Sequence, residues 1–215
     1  QYMSVTNCII ISLVTIFIVF RIAESQTPQT SLSYNYQISN QCPSSQKEEI
    51  VTLELKKTLT CAIEQGKTHQ YQIEVQKGQF IHITIEQMGV DVTETLRGPN
   101  NFIRRRDFPN DIWGIELLSF IAPEKENYTL EIQANNAKIP RGPYKITFVQ
   151  QSQPTKEDYA REDAEEKFME ADRLPNTKLN EKITLLEKAV SKWRESGDSY
   201  GLATGLTSLG FARAG

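Results

Sequence analysis

Histidine and cysteine are scarce in this chain, with two of the first and three of the second in 215 residues. Cys8 falls inside an apolar run near the start, so the remainder holds only Cys42 and Cys61. No Cys or His residues are paired a few positions apart, as a zinc site requires. A phosphate-binding glycine loop, a dinucleotide fingerprint and a Gly-x-Ser-x-Gly elbow are all missing as well. Basic charge is not in surplus: 24 Lys and Arg against 27 Asp and Glu give a net charge of −3. Neutralising the phosphates of a nucleic acid needs the opposite balance. The one basic run, Arg104-Arg105-Arg106, stands between Pro99-Asn100-Asn101 and Pro109-Asn110-Asp111 and reads as a solvated loop. Nucleic acid is therefore excluded as a partner.

Long hydrophobic runs are missing too. The longest, Ile9 to Phe20, is broken only by Ser12 and Thr15. At about 12 residues it is short for a bilayer span and suits the core of a secretory signal peptide. Ala23-Glu24-Ser25 offers small residues at alternate positions, so residues 1–25 read as the signal peptide, cleaved before Gln26. No Lys or Arg precedes the run and Arg21 follows it, which leaves an uncleaved anchor as the alternative. Either way the rest is expected to be exported: periplasmic, cell-envelope or extracellular, with no membrane contact beyond that segment. In an oxidising compartment Cys42 and Cys61 can bridge, closing a loop of about 20 residues for roughly 3 kcal/mol. Cys42 sits in a polar stretch and Cys61 in a strand-like one, and the spacing does not show that they meet.

What is present is a change of hydrophobic period near residue 155. Residues 26–49 are rich in Ser, Gln, Thr, Asn and Pro and read as a flexible leader. Across 50–152 apolar and polar residues alternate, as in Tyr71-Gln-Ile73-Glu-Val75 and Tyr128-Thr-Leu130-Glu-Ile132. That pattern puts one face of each strand on a core. Gly66-Lys67, Lys77-Gly78, Gly98-Pro99-Asn100-Asn101 and Arg141-Gly142-Pro143 punctuate the run. The regular spacing predicts a mainly β, antiparallel, jelly-roll-like sandwich of about seven or eight short strands. Tyr71, Tyr128 and Tyr144 each open a strand after a turn, where a phenol can bury its ring and reach a turn carbonyl.

Beyond residue 155 the apolar residues recur at three and four: Leu179, Ile183, Leu186, Val190 and Trp193. Thr155-Lys-Glu-Asp158 after Pro154 has the form of a capping box, with Asp in place of Glu. Ala160, Ala164, Phe168 and Ala171 share a face, and Leu174-Pro175-Asn176 ends that helix. A second helix runs from about Leu179 to Glu195 and stops at Gly197; a third follows Asp198. Trp193, Leu186 and Leu206 are expected in the packing stripe. Residues 155–215 thus read as the incomplete start of an α-helical hairpin array, each helix an antiparallel neighbour of the next.

Candidate chemistry is thin. His69 and His82 are the only imidazoles, and a His–Cys61 dyad lacks an orienting third group. Asp91, Asp107, Asn110, Asp111 and Glu116 are oxygen donors that a structural calcium would want, but turn formation and solvation account for them better. Trp113 is a candidate sugar platform whose neighbours Ile112 and Ile115 favour a core or sheet-edge place. Asn127-Tyr128-Thr129 has the glycosylation pattern, relevant only in a eukaryotic host. We assign no catalytic, cofactor-binding or metal residue and no cofactor.

Leu206-x-x-Leu209-Gly210 matches the opening of a tetratricopeptide repeat, with Ala189-x-x-x-Trp193 as the small and aromatic pair of a second helix. In the β region Gly66-x-x-His69-x-Tyr71, Lys77-Gly78-Gln79, Glu86-Gln87-x-Gly89-x-Asp91-Val92, Leu96-x-Gly98-Pro99, Gly114-x-Glu116 and Gly142-x-Tyr144 come in order. Together they resemble the N-terminal region of bacterial exported proteins in which a pre-peptidase C-terminal-like β domain precedes tetratricopeptide repeats and a caspase-like CHAT domain. The sequence departs at Glu126-Asn127, where such families usually have Gly. The resemblance implies a non-enzymatic scaffold that binds a protein or peptide through its helical repeats. One alternative is the regulatory front end of a caspase-like cysteine peptidase whose catalytic part lies beyond Gly215. Another is cell-envelope or carbohydrate binding by the β domain.

Overall fold

The computed structural model describes residues 36–43, 49–135 and 140–214. The expected signal peptide, residues 1–25, lies outside the described residues.

Nine strands precede three helices: β1 (Ile50–Thr52), β2 (Thr58–Glu64), β3 (Thr68–Val75), β4 (Phe80–Met88), β5 (Val92–Arg97), β6 (Ile103–Arg106), β7 (Trp113–Ile121), β8 (Glu126–Ala134), β9 (Arg141–Ser152), α1 (Lys156–Asp172), α2 (Leu179–Ser196) and α3 (Ser199–Ala214). A short 3₁₀ turn, Asn176–Lys178, joins α1 to α2. One sheet runs β1-β3-β8-β5-β6 and the other β2-β9-β4-β7. Their inward residues, Tyr71, Ile73, Val92, Leu96, Leu130 and Ile132 against Ile81, Ile83, Ile85, Leu118, Tyr144 and Ile146, form one shared core. The alternation read from the sequence is the cause, since every second side chain turns to the same face.

Two expectations for this region need correction. The sandwich is not wholly antiparallel: β1 pairs with β3 in parallel, because β2 lies between them in sequence but crosses to the other sheet. Nor does the alternation expected across 50–152 hold in its first segment, Val51-Thr-Leu53-Glu-Leu55, as one strand to Leu55. It ends at Thr52, and Lys56 in the left-handed region turns the chain, leaving Leu55 43% exposed.

Cys42 and Cys61 are joined by a disulfide. Residues 36–43, within the stretch expected to be a flexible leader, are thus tied to β2, and Ser39 N–H adds a bond to Thr60 O at 2.8 Å. Sequence spacing does not show this pairing, because the tie is made across tertiary structure.

The capping box is present: Thr155 Oγ1 accepts from Asp158 N–H, and Asp158 accepts from the Thr155 backbone. Gly197, with φ of 70°, closes α2 in the left-handed form that glycine tolerates best. Trp193 is wholly buried with Leu186 at the centre of the helical unit. Leu206, expected beside them, is instead 43% exposed. Gly201 and Gly205 take the place against the indole; a Cβ there would stand 2.2 and 2.6 Å from Trp193 atoms. Gly210, the glycine of the repeat-like motif, meets nothing within 4 Å.

Candidate functional site

The helices cover the open side of the sandwich, between edge strands β6 and β7. β6 carries the run Arg104-Arg105-Arg106, which is not a loop as expected. On a strand, alternate residues share a face, so Arg104 and Arg106 turn inward while Arg105 stays in solvent. Arg106 is 1% exposed. Arg104 binds Glu162 at 2.7 Å and Glu166 at 2.9 Å; Arg106 binds Glu166 at 2.8 Å and lies 3.6 Å from Glu165. These acids recur at helical spacing on α1, so an Arg-x-Arg strand meets an acidic helix face.

The same helix completes the edge of β7. Ser119 N–H and hydroxyl donate to Glu165 at 2.7 and 2.6 Å. Ile121 N–H donates to Glu162 at 3.1 Å, and Arg104 donates to Ser119 O at 2.8 Å. Further along, Ile115 N–H reaches the hydroxyl of Tyr200 on α3 at 2.6 Å. An edge strand left bare offers such groups to any other chain; here side chains of the helical unit, with Arg104 of β6, satisfy them.

His82 extends this network, with Nδ1 2.9 Å from Ser119 Oγ. Ser, His and Glu are together, but not in catalytic order. The serine proton goes to Glu165, so His82 Nδ1 is the donor, and all three side chains are buried. A nucleophile needs a base to take its proton and a face open to substrate. Burial, with Arg161 nearby, pulls His82 down to about 4.

The remaining candidates are scattered. His69 lies in the sandwich at 2.7 Å from the Tyr144 hydroxyl, which meets that of Tyr71 at 2.6 Å; burial lowers His69 to about 4. Tyr71 donates to Cys61 Sγ at 3.3 Å, but the disulfide leaves no thiol for a dyad. Of the three recurrent tyrosines, Tyr128 alone reaches a turn carbonyl, Glu124 O at 3.1 Å. Among the expected oxygen donors, Glu116 is in β7 and points into the sandwich. It accepts from Phe108 N–H at 2.6 Å, Gln87 at 3.1 Å and Asn110 at 3.4 Å. Those donors occupy the oxygens a calcium would need, and no group of three or more acidic, His or Cys residues among the described ones is placed to hold a metal. Trp113 opens the edge strand β7, 56% exposed, with its ring over Gly89.

A concavity lies in the helical unit. A groove of about 700 Å³ is lined by Phe168 of α1, Leu179 and Leu186 of α2, and Thr204, Thr207 and Phe211 of α3, with Pro109 and Asn110 of the β6–β7 loop at one end. Asp172 and Lys182 supply charge at its wall. Phe211 is 76% exposed, so α3 presents an aromatic ring to the groove besides the face it packs on Trp193. The loop is held in register by Phe108, which stacks on Phe168 with centroids 5.1 Å apart. Sequence reading missed both seam and groove; the signals available were Arg at alternate strand positions and acids at 162, 165 and 166.

Fold and groove define a β-sandwich protein with a docked helical unit. No protein-family model matches the chain, and no curated protein matches it. Among solved structures it is similar to the pre-peptidase C-terminal domain of a Bacillus anthracis collagenase, 19% identical over 47% of this chain and 95% of that one, with a TM-score of 0.39. It is also similar to PliG, a periplasmic inhibitor of g-type lysozyme. The Aeromonas hydrophila protein is 16% identical over 46% of this chain and 94% of that one, TM-score 0.35. The Salmonella Typhimurium protein is 18% identical over 46% and 96%, TM-score 0.36. This likeness concerns the β fold alone and adds nothing to the strand register above.

Proposed function

We propose that this chain is an exported, non-catalytic protein-interaction module whose helical groove receives a segment of a partner protein. The observation that carries the reading is the exposed ring of Phe211 on α3. Phe211, 76% exposed, lines a groove of about 700 Å³, a size that suits side chains of a docked segment. The reactive side chains support it from the other direction, since Ser119, His82, His69 and Cys61 are buried and bonded. Export is supported by the disulfide, which persists in oxidising compartments. No helix among the described residues is long and apolar enough to cross a membrane.

In its finer form the reading has the helices pair in the tetratricopeptide manner, α2 and α3 meeting through Trp193, Gly201 and Gly205; the alternative form is a regulatory front end of a caspase-like cysteine peptidase. These finer points rest on the sequence motifs. A second reading, carbohydrate or envelope binding by the β domain, draws on the exposed ring of Trp113.

Peptide selection decides between them. Random peptides displayed on phage are selected on the purified chain and on Thr207→Trp, which fills the groove at an exposed position. Peptides enriched on the wild type and lost on Thr207→Trp support the reading. Enrichment unaffected by Thr207→Trp, or no enrichment beside retention on polysaccharide lost in Trp113→Ala, overturns it.

A further inference from the structure

The charges in the seam do not balance. Glu94 on β5, Glu116 on β7 and Glu165 on α1 are each 0% exposed, while Arg106 is the one buried cation among the described residues. Glu94 and Arg106 stand directly opposite each other across β5 and β6. Yet neither oxygen of Glu94 nor Nε of Arg106 has a hydrogen-bond partner, because the guanidinium is committed to Glu166 and Glu165 on the helix.

The surroundings offer no further positive charge to Glu94. Arg104 is committed to Glu162 and Glu166. Asp107, next along the chain from Arg106, adds its negative field to both Glu94 and Glu116, and Asp91 adds to Glu116. Arg173 acts on Glu166 at the rim. Around His82 on β4, Arg161 is held between Asp158 at 3.5 Å and Asp198 at 3.3 Å. Gln87 and Asn110 bond Glu116 without charge, and the Tyr200 hydroxyl is engaged by Ile115.

Buried carboxyls that outnumber their cations keep protons instead of ionising. Burial, then repulsion by Glu116 and Glu165, pushes Glu94 well above its ordinary range; burial pushes Glu116 up to about 8. Burial also raises Glu165 against the pull of Arg106 and the Ser119 hydrogen bonds.

We propose that the seam of β5, β6, β7 and α1 is a proton-operated latch: while Glu94, crowded by Glu116, holds its proton, Arg106 opposite it is left to Glu166 and Glu165 of α1, and ionisation of Glu94 in a mildly alkaline medium draws the guanidinium off the helix and frees it. Acids raised in the folded state give stability that is fully present below their ordinary 4.5 and is lost as pH rises through about 8, the Glu116 value. Glu166 works oppositely: burial raises it, but Arg106 and Arg104 outweigh that and hold it low, so it stays ionised throughout the alkaline range. Release of α1 dismantles the groove as well, since Phe168 and Asp172 belong to its wall. The latch itself stands whatever the groove binds.

Amide hydrogen exchange on the full chain at about pH 6 and pH 9, corrected for intrinsic rates, tests this. Ser119 and Ile121 report the seam, since their N–H groups donate to α1. Ile83, opposite Phe148, and Ile146, opposite Ile85, on the two central strands of the second sheet, report the sandwich. The expected result is that seam protection falls by about tenfold or more between the two, one proton linked per unit of pH giving tenfold, while the sandwich reporters hold. Glu94→Gln or Glu116→Gln, each an uncharged isostere, flattens the fall. Unchanged seam protection, a parallel loss at all four amides, or a fall that persists in both variants overturns the latch. Where a variant fails to fold, the wild-type profile and the other variant decide.

Discussion

Glu165 of α1 accepts both the backbone N–H and the hydroxyl of Ser119 on β7, at 2.7 and 2.6 Å. One helical side chain thereby does for an edge strand what a neighbouring strand would do, and Glu162 repeats it at Ile121. The helical unit is therefore part of the sandwich's own hydrogen bonding, and the two should depend on each other. Residues 155–215 expressed alone lose the Arg104 and Arg106 partners and the aromatic contact of Phe108. They are expected to melt below about 50 °C and without a sharp transition, given typical small-domain values. Calorimetry on the fragment checks this; a cooperative transition above that temperature contradicts it.

The arginine run separates by alternation. Arg106→Met leaves Glu165 and Glu166 without their buried cation and should cost about 3–5 kcal/mol, the range for breaking a buried pair. Arg105, 62% exposed beside Asp107 at 3.4 Å, should cost no more than about 1 kcal/mol as Arg105→Ala. Urea midpoints of the two variants measure the difference, and equal losses would place both side chains in solvent.

Two glycines of one helix should respond with opposite sign. Alanine is favoured over glycine in a helix interior by about 1 kcal/mol, so Gly210→Ala, with open space around it, should stabilise. At Gly205 the new methyl would stand 2.6 Å from Trp193; overpacking of about 1–3 kcal/mol outweighs the propensity gain. Trp193→Ala should cost more, about 3–5 kcal/mol, whereas Lys192→Ala, whose exposed ammonium meets Glu195 at 2.9 Å, should shift little. Thermal melts followed by circular dichroism rank the four.

The strands, the three helices and the Thr155 cap were legible because period and capping are local. The core places of Tyr71, Ile83 and Trp193 follow from the same rule. The arginines were not, since a three-residue basic run between turn formers looks the same whether it lies in a loop or in a short edge strand. What distinguishes them is the acid face of α1, some 60 residues away in sequence. The groove was partly legible, in that the apolar character of α3 was visible. Which of its faces packs on Trp193 depends on Gly201 and Gly205, and the motif containing Leu206 and Gly210 pointed to the other face.

The Cys42–Cys61 bridge closes a loop of 19 residues, worth about 3 kcal/mol by loop entropy. Reduction, or Cys42→Ser with Cys61→Ser, should lower stability by that order without changing the helical circular dichroism. An unchanged urea midpoint after complete reduction would mean the tie constrains nothing.

Histidine and acid titrations act in different windows. His69 and His82, lowered to about 4 by burial, add stability that is present above their ordinary 6.5 and lost as pH falls toward 4. Glu116, raised to about 8, loses stability as pH climbs. Between about pH 6.5 and 8 only the acids still change, so unfolding free energy should decline across that interval. Chemical denaturation at the two ends measures it; a rise would reverse the sign assigned to the buried carboxyls.

The most direct test of the central claim, that this chain acts through its helical groove, is calorimetric titration of a selected peptide into the folded chain and two surface variants. Phe211, 76% exposed at the groove, and Trp113, 56% exposed on the sandwich edge, are each replaced by alanine. The account predicts that Phe211→Ala weakens binding by about tenfold or more, since losing a well-packed aromatic contact exceeds 1.4 kcal/mol, and that Trp113→Ala leaves it unchanged. Weakening by Trp113→Ala with Phe211→Ala unaffected would contradict it.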